Sequence, residues 1–211
     1  MQLDVIADPI CPWCYVGQRH LEEALRRRPF RDLDIRWRPF MLDPSIPPEG
    51  IERKAYYKTR YGSEARAMQT VGPAIELGAK AGIRFAFNKI ARIPNTLDAH
   101  RLILWASEDE RAEAVLTLLF RGYFEEGADI GDRRVLASIA DQVGLDAKRI
   151  AALLESDTDV STVIDQDRAT RALGINGVPC LLVDEKYALM GAQDPANLVA
   201  VFERIQAHQA V

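Results

Sequence analysis

Two cysteines in the run Cys11-Pro12-Trp13-Cys14 are the residues of this 211-residue chain best suited to chemistry. Thiols three positions apart share one face of a helix and lie within disulfide reach. A cysteine in the first helical turn also faces unpaired backbone N–H groups and the positive end of the helix dipole, both of which favour a thiolate. Cys11 is therefore the expected nucleophile of a thiol–disulfide exchange. Cys14, further into the helix, is the expected resolving thiol. Pro12 suits the first turn, where a missing N–H has no intrahelical partner to lose. Trp13 offers a flat, partly exposed apolar contact to a substrate, with core packing as the plainer reading. A zinc half-site is the main competing reading of the pair, but four-coordination needs two more Cys or His ligands at close spacing. His20, His100 and His208 are scattered, so no metal is expected. Incidental buried cysteines are the other alternative, and their placement between strand and helix weighs against it.

That placement comes from the surrounding periodicity. In residues 2–8, Leu3, Val5 and Ala7 alternate as in a short strand. Cys14, Gly17, Leu21, Ala24 and Leu25 then follow helical spacing, so a helix is expected from near Cys11 to just before Pro29. Residues 34–38 alternate again, which makes a strand–helix–strand unit with parallel strands. Several prolines punctuate 39–50. From about 51 to 173 the chain reads as helices with no convincing strand. Asp132 and Asp146 are plausible N-caps, and Gly144 is a plausible stop. Residues 180–183 and 187–190 read as strands joined by a tight turn at 184–186. Asp194-Pro195 opens a last helix.

Gly177-Val178-Pro179 is the second signal. Proline is tolerated at the start of a strand. Its functional reading is a cis peptide bond after Val178, leaving the Val178 backbone free to pair with a substrate strand beside the dithiol. Cys180 is read as a small buried apolar side chain rather than a third reactive thiol. Asn95 and Thr96 are good helix-capping types. His100 on the helix they open is a candidate for lining a cleft and meeting the Cys11 thiolate or a bound acid, with a structural histidine as the plainer reading. Arg101 is a candidate for binding an acidic substrate, with a surface ion pair as the plainer reading.

Composition narrows the partners. Hydrophobic residues make up 48% of the chain and charged residues 27%, with a net charge of −4. Nucleic acid and anionic membrane both call for a concentrated basic footprint, so neither is expected. No apolar run has bilayer-spanning length. The N-terminus carries Asp4 and Asp8 where a secretory signal would be basic, so a cytoplasmic location is expected. Three cysteines are too few for a disulfide framework, which again assigns the close pair to chemistry.

The chain resembles the DsbA-type branch of the thioredoxin superfamily, specifically its FrnE-like members. The resemblance is carried by Cys11-Pro12-Trp13-Cys14-Tyr15, the segment Arg38-Pro39-Phe40 to Pro44, and the run Asn95 to Arg101. It continues through Phe120 to Phe124, Gly177-Val178-Pro179 and Gly191-Ala192-Gln193. It implies an α/β thioredoxin-like fold with a large inserted helical domain: residues 1–45 and 174–211 would form one discontinuous domain and 46–173 the insertion. It implies a disulfide oxidoreductase whose site lies in the cleft between them, with Cys11 and Cys14 catalytic. Pro12, Trp13, Val178, Pro179, Asn95 and His100 are the expected substrate contacts. The partners would be thiol or disulfide substrates and a cellular thiol reductant, with no tightly bound cofactor. The same branch includes 2-hydroxychromene-2-carboxylate isomerases and kappa-class glutathione transferases, which use serine where Cys11 stands and activate glutathione. A glutathione-dependent isomerase or transferase acting on a small aromatic substrate is therefore the second expectation, with glutathione as co-substrate. A peptide-binding module without catalysis is the third.

Overall fold

The computed structural model describes residues 1–209; the last two positions of the 174–211 segment lie outside the described residues. The chain opens with β1 (Gln2–Ala7), α1 (Pro12–Arg27) and β2 (Asp34–Pro39). β1 and β2 pair in parallel, with Leu3 opposite Ile35. It closes with β5 (Cys180–Val183), β6 (Tyr187–Met190) and α9 (Pro195–Gln209). The main sheet runs β2-β1-β5-β6. β5 lies antiparallel to β1, with Val5 opposite Leu181, and β6 antiparallel to β5. Val183 pairs with Tyr187 across the three-residue turn 184–186; within it Asp184 and Glu185 take φ of 48° and 57°, and Lys186 N–H donates to the Val183 carbonyl at 3.0 Å.

Between the two halves of the sheet lie β3 (Ile51–Glu52), α2 (Arg53–Tyr61), α3 (Glu64–Lys80), β4 (Arg92–Ile93), α4 (Leu97–Glu108), α5 (Ala112–Arg121), α6 (Arg133–Gln142), α7 (Ala147–Leu154) and α8 (Val160–Ala172). The expectation of helices alone over 51–173 is corrected here: β3 and β4 form an antiparallel ladder, Ile51 opposite Ile93. Two-residue strands are too short to show a period of two. The capping aspartates act as expected. Asp132 accepts from Arg134 N–H, and Asp146 accepts from the N–H groups of Lys148 and Arg149. Asp194 accepts from Ala196 N–H. No helix among the described residues is long and apolar enough to cross a membrane.

α1 is shared by two interiors. Leu21 and Ala24 join Leu3, Val5, Leu181, Val183, Leu198 and Phe202 between the sheet and α9. Cys14, Tyr15 and Val16 pack instead among residues of α4, α5 and the turn after α5. Tyr15 stacks on Phe120 with ring centroids 5.0 Å apart, and its hydroxyl donates to Glu125 Oε1 at 2.7 Å. Arg101 also departs from expectation. Far from being a surface ion pair, it is 1% exposed. Its guanidinium donates to the carbonyls of Leu153, Ser156 and Thr158 at 2.7–2.8 Å and to Asp98 at 2.6 Å, and it lies over the Trp105 ring at 4.9 Å. It ties the end of α7 and the approach to α8 onto α4.

Candidate active site

The site begins where β1 ends. Cys11 is the N-cap of α1, with φ −91° and ψ 114°, and Pro12 follows as the first helical residue. The Cys11 carbonyl accepts from Cys14 N–H at 3.0 Å, and its own N–H donates to the Asp8 carbonyl at 2.9 Å. The alternation of β1 thus passes into a helix through one tight turn, and the turn places Cys14 one helical turn behind Cys11. All three thiols are free. Cys11 is 4% exposed and Cys14 2%, while Pro12 and Trp13 are half-buried. Burial pushes the Cys14 thiol well up, and a hydrogen bond to the Cys11 sulfur adds to this. Cys14 thus keeps its proton near neutral pH.

The Val178–Pro179 bond is cis, and the Val178 carbonyl faces the Cys11 thiol, Sγ to O 3.7 Å. The loop reaches the helix because position 17 is glycine: a Cβ there would stand 3.1 Å from the Pro179 ring, closer than side chains normally pack. The Pro179 carbonyl in turn accepts from Gly191 N–H at 2.8 Å. Two segments about 165 residues apart in sequence therefore form one surface around Cys11. Cys180 is wholly buried and its thiol is pushed up to about 11 by burial, which suits a packing role.

Asn95 and His100 make their contacts with residues other than the two cysteines. The Asn95 amide donates to the Ile46 carbonyl at 2.6 Å and its oxygen accepts from Leu97 N–H at 2.9 Å, so both ends of the side chain are spent on the backbone. His100 is 4% exposed and lines a small pocket with Ala7, Pro39 and Ile103. Its Nε2 points to Asp8 Oδ1 at 3.9 Å and has no hydrogen-bond partner.

Asp8 is the residue that periodicity passed over. It is fully buried, accepts from the N–H groups of Leu42 (2.6 Å) and Ile10 (3.3 Å), and is also bonded to the Thr96 side chain. Burial raises its carboxyl to about 7 in spite of these donors. Burial likewise lowers His100 to about 4. Near neutral pH the two are therefore a neutral imidazole beside a carboxyl that shares its time with a proton, and not an ion pair. The Asp8 charge, when present, further raises Cys14.

Comparison with known proteins gives this geometry a setting. The profile of a family described as DSBA-like thioredoxin domain matches residues 2–203. A crystal structure of a probable DsbA oxidoreductase from Streptomyces coelicolor is 29% identical, covers 98% of this chain and 90% of its own, and superposes with a TM-score of 0.87. The cytosolic disulfide reductase DsbM from Pseudomonas aeruginosa, solved with GSH, is 19% identical with a TM-score of 0.71 over 98% of this chain and 100% of its own. A 2-hydroxychromene-2-carboxylate isomerase is 16% identical with a TM-score of 0.75 over 100% and 98%. The last two show likeness of fold alone. The fold is thioredoxin-like, with a helical insertion between the two parts of the sheet.

Proposed function

The chain belongs to the DSBA-like thioredoxin domain family, and on that premise we propose that it is a thiol–disulfide oxidoreductase acting through Cys11 and Cys14. The observation that carries the reading is the placement of the pair: Cys11 caps α1 beside the Val178 carbonyl, with the protonated Cys14 one turn behind it. The Cys11 thiolate attacks one sulfur of a substrate disulfide. A Cys11–substrate bond forms, the substrate S–S bond breaks, and one substrate thiolate leaves. Cys14 then gives up its proton and attacks the Cys11 sulfur. The Cys11–Cys14 disulfide forms and the second substrate thiol is released. The substrate gains two electrons and the protein dithiol loses them; run backwards, the same steps oxidise a dithiol substrate. The Val178 edge, with Pro12 and Trp13 beside Cys11, supplies the docking surface for an extended substrate. A cellular thiol reductant restores the dithiol. Glutathione fits that role, since it accompanies the similarly folded DsbM, and a cytoplasmic setting follows from the same reading.

The trapping experiment is Cys14→Ser. The variant should accumulate a mixed disulfide on Cys11, visible by mass spectrometry, and lose multiple turnover with disulfide substrates. The second reading, a glutathione-dependent isomerase or transferase, draws on the fold shared with 2-hydroxychromene-2-carboxylate isomerase. That chemistry needs no resolving thiol. Full turnover by Cys14→Ser with no trapped adduct would refute the dithiol mechanism and favour the second reading.

A further inference from the structure

A cavity of about 130 Å³ opens beside the dithiol, between α1 and the helices that follow β2. Ile10 and Pro12, the two neighbours of Cys11 in the chain, form one wall. Tyr57, Tyr61, Phe87 and Phe124 supply aromatic surface to the others, with Tyr56 and the Arg60 side chain adding polar groups. Those rings are held in place. Tyr57 meets Tyr61 edge-on at 5.9 Å and carries the Arg53 guanidinium over its face at 5.4 Å. Phe87 meets Phe124 at 5.7 Å. At the mouth stands Leu42, among the few large apolar side chains left exposed, at 40%. Its N–H is bonded to Asp8, which ties the mouth to the floor of the dithiol site.

The size selects the occupant. An enclosed apolar cavity of about 150 Å³ takes up benzene; this one is open to solvent and partly polar, and at about 130 Å³ it has room for a single phenyl-sized group. Walls made of aromatic faces and edges favour a ring over an aliphatic chain of equal size. A wall shared with both neighbours of Cys11 places that ring within a few bonds of the sulfur under attack. Building on the exchange reading above, we infer that this cavity is a substrate subsite for one aromatic ring carried next to the attacked sulfur. The ring is either the substituent of a small aralkyl thiol or a Phe or Tyr side chain beside a cysteine in a polypeptide. It stays outside the bond changes: Cys11 attacks the substrate disulfide, and the thiolate that leaves is the one not anchored by the ring.

The test compares kcat/KM for matched disulfides. One arm uses mixed disulfides of 2-mercaptoethanol with benzyl mercaptan or with 2-methoxyethanethiol. The other uses short peptides in which Phe or Gly precedes a cysteine bonded to 2-mercaptoethanol. The unmodified protein should prefer the ring by about 10- to 100-fold, the range expected for burying one such side chain. A preference in the first arm alone identifies small thiols as the source, and in the second alone a polypeptide. Ala67→Leu and Val71→Phe each put bulk into the cavity and should bring the ratio to within about twofold of one. Two variants are used because Ala67 is buried and its replacement can disturb folding; benzyl alcohol, competing only with the ring-bearing probe, supplies the same information on the unmodified protein. A ratio near one in both arms would overturn the subsite while leaving the exchange mechanism standing. So would a preference untouched by both variants and by benzyl alcohol. Inertness toward every disulfide would instead overturn the exchange reading, and the subsite with it.

Discussion

Leu21 and Ala24 on one side of α1 look into an interior of aliphatic side chains closed by Phe202, whereas Cys14, Tyr15 and Val16 on the other look into the helical insertion. On the first side, strands and helices meet mainly through the apolar cluster around Leu3, Val5 and Val183, with His20, its Nδ1 bonded to the Gln193 carbonyl, as a buried polar group of α1. On the second, Asp8, Gln18, Thr96, His100 and Arg101 are all buried. Groups of that kind are costly to bury and need partners. The contrast separates two tasks. The sheet side fixes the end of β1 and the start of α1 in space. The insertion side sets the electrostatic surroundings of the dithiol that those elements present.

Removing apolar volume from the sheet side should give the largest effect on stability. Phe202→Ala is expected to cost about 3–5 kcal/mol, read as a lowered urea midpoint. Disulfide exchange per folded molecule should stay unchanged at low temperature. Loss of exchange in fully folded Phe202→Ala would break the separation of tasks.

Arg101→Met tests the insertion side away from the dithiol. It strands three carbonyls that the guanidinium now satisfies, at a cost of about 2–3 kcal/mol. Hydrogen exchange should quicken around residues 153–158 while the amides of β1 and β5 keep their protection. Uniform loss of protection would mean that the two interiors unfold as one unit.

The smallest effect is the most diagnostic, because it concerns Asp8 and His100 together. The Asp8 carboxyl rises from 3.8 to about 7 on folding. Its contribution to stability is thus fully present below pH 3.8 and is lost as pH rises toward 7. His100 falls from 6.5 to about 4. Its contribution is present above pH 6.5 and is lost as pH falls toward 4. Between pH 5 and 6.5 the two slopes have opposite signs and cancel. His100→Gln should therefore expose a stability that falls with rising pH by about 1 kcal/mol per unit, and Asp8→Asn one that rises by a similar amount. Urea unfolding of the two variants across pH 5–6.5 checks this; parallel slopes would show that the residues do not exchange a proton on folding.

These residues also show where sequence reasoning stopped. β1, α1, β2 and the closing β-β-α order were legible because each runs long enough to display its period or carries a capping signature, as Asp132, Asp146 and Asp194 do. The Cys11–Cys14 pair and the Val178-Pro179 loop were legible as types at a spacing. Asp8 was not, because its burial is imposed by Leu42, Thr96 and His100, whose arrival beside it depends on packing and leaves no mark near position 8. Arg101 was misread for the same reason: three of its acceptors are carbonyls more than fifty positions away. The β3–β4 ladder has two residues in each strand, fewer than any periodicity needs.

The order of the strands bears on how the chain is made. Leu3 pairs with Val183, 180 positions later, and contacts that distant form slowly once loop closure has been met. On the ribosome, Cys11 emerges 167 positions ahead of the Val178 carbonyl that will stand against it. Until the residues around Val178 follow, the nascent chain therefore displays an unwalled dithiol, open to whatever oxidants and thiols surround the ribosome. The Val178-Pro179 segment is what closes that window.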